Sequence, residues 1–207
     1  MYLFAFAVAG IIGVVVAFVV VFASRGSSPG PPGKIGVAIP NLAKLPSVQT
    51  GPPPWQPEES GLKVRSAILG IPLLTREALA VHYHAHLDIF DNGESIPVPA
   101  GIGISQKQGV ISVLHTHDTS GFLHVEAPQA YDYTLGQFFG IWGLRLSKTC
   151  IGGLCATPGK PLRVWVNGHL FNQDQTRLIL ADHQEIAIAY GTPPSKIPKT
   201  KDFTPVG

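Results

Sequence analysis

Residues 81–99 read VHYHAHLDIFDNGESIPVP, and this stretch decides the fold that the sequence predicts. Polar and apolar residues alternate from Val81 to Phe90, which is the pattern of a strand with one face in the core. The Asn92-Gly93 pair is a strong hairpin signal, because both residues tolerate positive φ angles. The stretch therefore predicts a β-hairpin whose first strand carries three histidines on one face.

Further hairpins and one helix are predicted downstream. Segments 109–117 and 122–126 flank a turn, and Asn167-Gly168 marks another hairpin turn. Thr134 and Gln137 fit a capping box that precedes a short amphipathic helix. One helix on a mostly antiparallel sheet is an α+β architecture, and the end of the domain resembles a β-grasp fold. A β-barrel or a β-sandwich is the alternative.

An uncharged apolar segment lies near the N-terminus, from Leu3 to Ala23. As a helix it is about 31 Å long, enough to cross a bilayer, so residues 1–24 are predicted to form a single transmembrane anchor. A cleaved signal peptide is the alternative, but no Lys or Arg precedes the segment. Small residues recur every fourth position and predict a stripe for packing against a partner helix: Ala5, Ala9, Gly13 and Ala17.

The remaining chain divides by composition. Residues 25–80 are rich in proline and glycine and are predicted to form an extended linker. Residues 81–191 contain all eight histidines and are predicted to form a globular β domain. Residues 192–207 form a basic, proline-containing tail. We expect integral membrane subunits to bind the transmembrane helix and the linker.

Charge and cysteine content restrict the partners and the compartment. The net charge is +2 and only 14% of residues are charged, which excludes the basic field that nucleic-acid binding requires. The two cysteines, Cys150 and Cys155, are separated by a short loop that a disulfide can close. Disulfides persist in oxidising compartments, so the domain is expected to be extracytoplasmic, either periplasmic or extracellular. A single arginine after the apolar segment, Arg25, points to the opposite orientation.

Histidines and acids cluster in three short motifs, HYHAH, HTHD and HVE. Alternate residues of a strand share a face, and a neighbouring strand lies about 4.8 Å away, so imidazoles from two strands can converge on one ion. The predicted metal-site residues are His82, His84, His86, His115, His117, Asp118, His124 and Glu126.

The types of ligand in this set restrict which metal ion can bind. Imidazole and carboxylate ligands suit Zn(II) or Cu(II), which we expect, and also Fe(II) or Mn(II). The cysteines lie outside the cluster and Met1 is the only methionine, so blue-copper and thioether sites are excluded. No motif assigns a catalytic residue, because the chain lacks a nucleophile elbow, a Walker loop and a dinucleotide-binding glycine motif.

The motifs HAHLDIFDNG, LHTHDTSGFLHVEAP and TLGQFF lie within residues 84–143. In these blocks the chain resembles a family of exported, membrane-anchored bacterial and archaeal proteins with the same histidine motifs, for which no activity is established. The resemblance implies an extracytoplasmic domain, and it points to the same histidines and acids.

Two functions are compatible with these features. The first is a membrane-anchored accessory subunit of a larger membrane complex, of respiratory or photosynthetic type, that carries a multi-histidine metal site. The second is a free-standing zinc- or copper-binding protein, either a metal carrier or a hydrolase or hydratase with a three-histidine site. The enzymatic version lacks an evident general base.

Overall fold

The computed structural model describes residues 33–78 and 80–204. Among these residues, the helices are α1 (Leu62–Leu69), α2 (Leu135–Trp142) and two 3-10 turns, Leu42–Lys44 and Gln175–Arg177. The strands, in chain order, are β1 (Leu73–Leu74), β2 (Val81–Asp91), β3 (Glu94–Ile96), β4 (Ile104–Ser105), β5 (Val110–Ser112), β6 (Leu114–His115), β7 (Phe122–Ala127), β8 (Cys150–Ile151), β9 (Leu154–Cys155), β10 (Leu162–Val166), β11 (His169–Phe171) and β12 (Gln184–Tyr190).

The main sheet has β2 near its centre, in the order β11-β10-β12-β2-β7-β6, and β3 pairs with the end of β2. The β12–β2 pair is parallel and the other pairs are antiparallel. Strands β1, β5 and β4 form a small second sheet. The sheet is therefore mixed, because the last strand inserts beside β2 in the same direction.

Two Asn-Gly turns connect the strands of this sheet, as the sequence predicts. Asn92 and Gly93 have φ angles of 51° and 90°, and Asn167 and Gly168 have φ angles of 51° and 79°. Positive φ at both central positions is the geometry that matches the twist of a two-residue hairpin. These turns fix the registers of the β2–β3 and β10–β11 hairpins.

The two faces of β2 have different environments. Ala85, Leu87 and Ile89 point into the main hydrophobic core, whereas the alternate residues carry the histidines. Helix α2 is buried along its whole length and packs in this core. It begins with the predicted capping box, in which the Thr134 hydroxyl accepts from the Gln137 N–H and the Gln137 side chain accepts from the Thr134 N–H.

Much of the predicted linker is packed against the domain rather than extended. Leu42, Trp55 and Leu62 are core residues, and α1 lies within this segment. The Arg65 side chain is fully buried; its Nε donates to the Gly140 carbonyl at 2.8 Å. Average composition does not reveal this packing. The apolar residues of the segment are isolated between prolines, and their packing partners belong to the domain.

The predicted fold class needs correction. The structure is a mostly antiparallel, mixed β protein with two short α-helices among its described residues, rather than an α+β, β-grasp-like domain with one helix behind a transmembrane segment. The second helix, α1, lies in the segment that composition assigned to the linker.

The predicted cell-membrane localisation also needs correction. Across residues 33–78 and 80–204, no helix combines the length and the apolar character that a bilayer crossing requires. The segment from Leu3 to Ala23, and with it the predicted packing stripe of Ala5, Ala9, Gly13 and Ala17, lies outside the described residues.

The two cysteines lie opposite each other in the β8–β9 hairpin and form a disulfide. The short loop between them in the sequence predicts this pairing.

Candidate metal centre

Strand register aligns three histidines in one row across the sheet. His84 of β2 lies opposite His124 of β7, and His124 lies opposite His115 of β6. Two residues before His84 on β2, His82 lies opposite Glu126, which is two residues after His124 on β7. Because side chains of directly paired residues point to the same face, these residues project together from the side of β2 that faces away from the main core.

Four of these side chains form a closed ring of contacts, here called the four-residue ring: His82, His84, His124 and Glu126. His84 Nε2 lies 3.1 Å from His82 Nε2 and 3.0 Å from His124 Nδ1. Glu126 Oε1 lies 3.3 Å from His124 Nδ1 and 3.4 Å from His82 Nε2. Ligand atoms around a tetrahedral zinc ion are about 3.3 Å apart. The four neighbouring pairs of the ring have about this spacing, and all four ligand atoms lie within 4.8 Å of one another.

Two further histidines adjoin the ring on the side of β6. His115 Nε2 lies 3.1 Å from His117 Nε2 and 3.8 Å from Glu126 Oε1. The His115 ring stacks on the His124 ring, with centroids 5.2 Å apart and planes 15° apart. The His117 and His124 ring centroids are 4.5 Å apart. We call the ring together with His115 and His117 the histidine cluster.

Burial keeps the inner histidines of the cluster neutral. Desolvation, and then the neighbouring imidazoles, lower the pKa of His124 to about 3 and that of His115 to about 4. The pKa of His84 is lowered by the same two causes. Metal ions bind the unprotonated imidazole, so at neutral pH these side chains are in the form that coordinates.

The outer edge of the cluster is open to solvent. The side chains of His82 and His117 are 37% and 43% exposed, whereas His115 and Glu126 are almost completely buried. Burial raises the pKa of Glu126, and the nearby Glu77 carboxylate raises it further. The two exposed imidazoles therefore give an ion access from solvent to the buried ligands.

His86 belongs to a different group, although the sequence placed it with the other histidines. Its Nε2 donates to the Ser120 carbonyl at 2.8 Å, and its Nδ1 lies 3.1 Å from the Glu185 carboxylate. Asp88 Oδ2 lies 3.8 Å from the same Nδ1. His86, Asp88 and Glu185 thus form a separate histidine–carboxylate group further along β2.

Asp118, also predicted as a ligand, lies outside these groups. It is exposed, and its Oδ1 accepts a hydrogen bond from the Ser120 N–H at 2.8 Å. Hydrogen bonds from the Ser120 hydroxyl and N–H lower the pKa of this carboxyl group. Its role in the structure is to hold the turn between β6 and β7.

Three acidic residues near the histidines are absent from the sequence prediction. Asp88 continues the alternation of His82, His84 and His86, so the strand pattern contained a signal for it. Glu185 reaches His86 only because β12 pairs with β2 in parallel. Glu77 Oε1 lies 3.4 Å from His117 Nε2 and comes from the segment before β2, where no local pattern marks it.

Comparisons of the chain with protein-family models, with curated proteins and with solved structures find no match. The function is therefore argued from the geometry of the histidine cluster.

Proposed function

We propose that this protein binds a divalent transition-metal ion, Zn(II) or Cu(II), at the four-residue ring. The observation that carries the proposal is the closed set of contacts from 3.0 to 3.4 Å among three imidazole nitrogens and one carboxylate oxygen. These contacts, with all four donor atoms within 4.8 Å of one another, have the dimensions of a four-coordinate site.

Hydrogen bonding alone accounts poorly for this arrangement. A neutral imidazole carries one N–H, so His84 Nε2 can make only one good hydrogen bond, although two imidazole nitrogens lie within 3.1 Å of it. Nitrogen lone pairs that face one another, with a carboxylate beside them, create a negative potential at one point. A divalent cation at that point neutralises the potential and uses every donor.

The donor types favour Zn(II) and Cu(II). Imidazole nitrogen is a borderline donor and carboxylate oxygen is a hard donor, so three imidazoles dominate this donor set. Of the divalent ions that imidazole binds, copper and zinc form strong complexes. The ring contains no sulfur ligand. The part of the sequence prediction that places the protein in a larger complex stays a prediction, since nothing among the described residues bears on it.

Zinc titration of the chelator-treated full chain tests the proposal. We expect at least one ion per chain, and a loss of affinity of about 100-fold or more in His84→Ala or His124→Ala. His169→Ala is the matched control, because His169 is exposed on β11 and outside the cluster. A folded wild-type sample that binds less than about 0.2 ion per chain would overturn the proposal.

A further inference from the structure

The histidine cluster contains more donors than one tetrahedral ion uses. The four-residue ring supplies four ligands, and His115 and His117 remain beside it with their Nε2 atoms 3.1 Å apart. Zinc sites in proteins are almost always four-coordinate, or five-coordinate when they are catalytic. Six donors in contact are therefore better matched to two ions than to one.

The tautomer of His115 supports a second ion. Its Nδ1 lies 2.9 Å from the Ser112 carbonyl, which can only accept, so Nδ1 carries the proton. The Nε2 lone pair of neutral His115 therefore points toward His117 Nε2 and toward Glu126 Oε1. A backbone carbonyl that orients a histidine in this way is the usual support of a metal ligand.

His117 places a second imidazole nitrogen beside His115. Its Nε2 lies 3.1 Å from His115 Nε2 and 3.4 Å from Glu77 Oε1. One N–H serves one of these two acceptors, and water reaches the Glu77 carboxylate, which is 45% exposed. Two imidazole nitrogens at this separation, with the Glu126 carboxylate 3.8 Å from one of them, are also spaced to share one cation.

Glu126 has the position of a bridging ligand. Its Oε1 faces His82 of the ring at 3.4 Å and His115 of the adjoining pair at 3.8 Å. Its Oε2 is buried and has no hydrogen-bond partner among the described residues, and the residue as a whole is 4% exposed. An unpaired buried carboxylate oxygen is costly, and a second metal–oxygen bond would satisfy it.

We infer that the histidine cluster holds two divalent ions, one at the four-residue ring and one at His115 and His117, with the Glu126 carboxylate bridging them. The inference rests on the proposed function and deepens it. Two ions that share a carboxylate lie about 3.5–4 Å apart, a spacing at which both can bind one oxygen-containing ligand such as hydroxide or a phosphate ester. The exposed side chains of His82 and His117 give such a ligand access to the cluster from solvent.

Copper titration of the full chain tests the inference, with elemental analysis and electron paramagnetic resonance as readouts. We expect two Cu(II) ions per chain and, with the second equivalent, a half-field transition that requires two coupled spins. His117→Ala should lower the affinity for the second ion by at least about 10-fold and should remove the half-field signal of the coupled spins. This side chain is 43% exposed, so its removal leaves little cavity.

Glu185→Gln is the matched control, because it alters the separate His86 group and should leave both ions bound. One ion per wild-type chain would overturn the second site and leave the proposed function intact, whereas no ion would overturn both. Two uncoupled ions would contradict the bridge. Loss of the second ion in Glu185→Gln would place it at His86 instead.

Discussion

His84 and His124 face each other directly across the antiparallel β2–β7 pair, with His84 Nε2 3.0 Å from His124 Nδ1. Their backbones belong to the centre of the main sheet, so the pair is positioned by the sheet register rather than by a mobile loop. Ligands on paired strands need little reorganisation when an ion binds, which favours affinity.

Replacing His124 should affect metal binding more than replacing His82. His124 contacts His84 and Glu126 and stacks on His115, so both halves of the cluster depend on it. His82 is partly exposed and belongs to the ring alone. We expect His124→Ala to abolish measurable zinc binding and His82→Ala to weaken it by about 10–100-fold. Competition with a chromophoric chelator measures both, and equal losses would contradict the shared position of His124.

Metal binding should also raise thermal stability. An ion that binds only the folded chain adds about 2.7 kcal/mol to the free energy of unfolding when its free concentration is 100 times Kd. Differential scanning calorimetry with and without zinc measures this shift. His84→Ala should remove it, and His169→Ala should retain it. A wild-type melting temperature that zinc leaves unchanged would argue against a folded-state site.

The metal-free protein should lose stability as the pH falls below about 6.5. The folded-state pKa values of His115 and His124 are about 4 and about 3, below the ordinary histidine value, so the unfolded chain binds more protons in this range. Each group then adds a slope of up to about 1.4 kcal/mol per pH unit, with the free energy of unfolding rising as the pH rises.

The buried carboxyls contribute with the opposite sign. Burial raises the pKa of Glu126 and of Glu185, so their contribution to stability falls as the pH rises above the ordinary carboxyl value. Comparison with His115→Gln separates the effects. Urea unfolding between pH 4.5 and about 7 should give a flatter pH dependence for this variant, and parallel curves would refute the assignment.

Arg65 should be important for the fold and unimportant for the metal. Its buried guanidinium pairs with Glu58 and donates to the Pro46 and Gly140 carbonyls, which ties α1 to α2. Arg65→Ala removes the cationic partner of Glu58, whose carboxylate keeps only its hydrogen bonds from Ser60 and Gly61. It also leaves the Pro46 and Gly140 carbonyls without their donor and should lower the free energy of unfolding by about 3–5 kcal/mol. Urea unfolding measures the loss, with Lys63→Ala, an exposed residue of the same helix, as the control. A loss below about 1 kcal/mol would contradict the structural role of this pair.

Loss of the disulfide should lower stability without changing metal affinity. Cys150 and Cys155 close a very short loop, and the chain-entropy model gives about 2 kcal/mol for such a loop. The double variant Cys150→Ser, Cys155→Ser should therefore unfold at lower urea concentration and bind zinc with unchanged Kd. A large loss of zinc affinity would show that the hairpin supports the site.

Local sequence patterns are sufficient to predict the hairpins and the face of β2 that carries the histidines. The alternation in β2 placed His82, His84 and His86 on one face, and the Asn-Gly pairs located two turns. Alternation does not specify which strand lies beside which. Alternation therefore groups His86 with the other histidines, although pairing with β12 brings it to Glu185.

For a related reason, composition does not reveal the packing of the proline-rich segment. Proline and glycine content indicates the conformation of an isolated segment. It contains no information on whether the rest of the protein offers a surface against which the segment can pack. Trp55 and Arg65 become buried because the domain supplies a T-shaped contact with Trp142 for the former and carbonyl acceptors for the latter.

The sequence by itself determined the strand faces, the turns, the helix cap and the residue types of the candidate metal site, because each depends on neighbours a few positions apart. Only the tertiary structure decided that His84, His124 and His115 share one row, that Glu126 lies between two sets of imidazoles, and that His86 belongs elsewhere. These relationships depend on the order and register of strands that are distant in the chain. The packing of the whole core selects this strand order and register, so no short segment of the sequence specifies them.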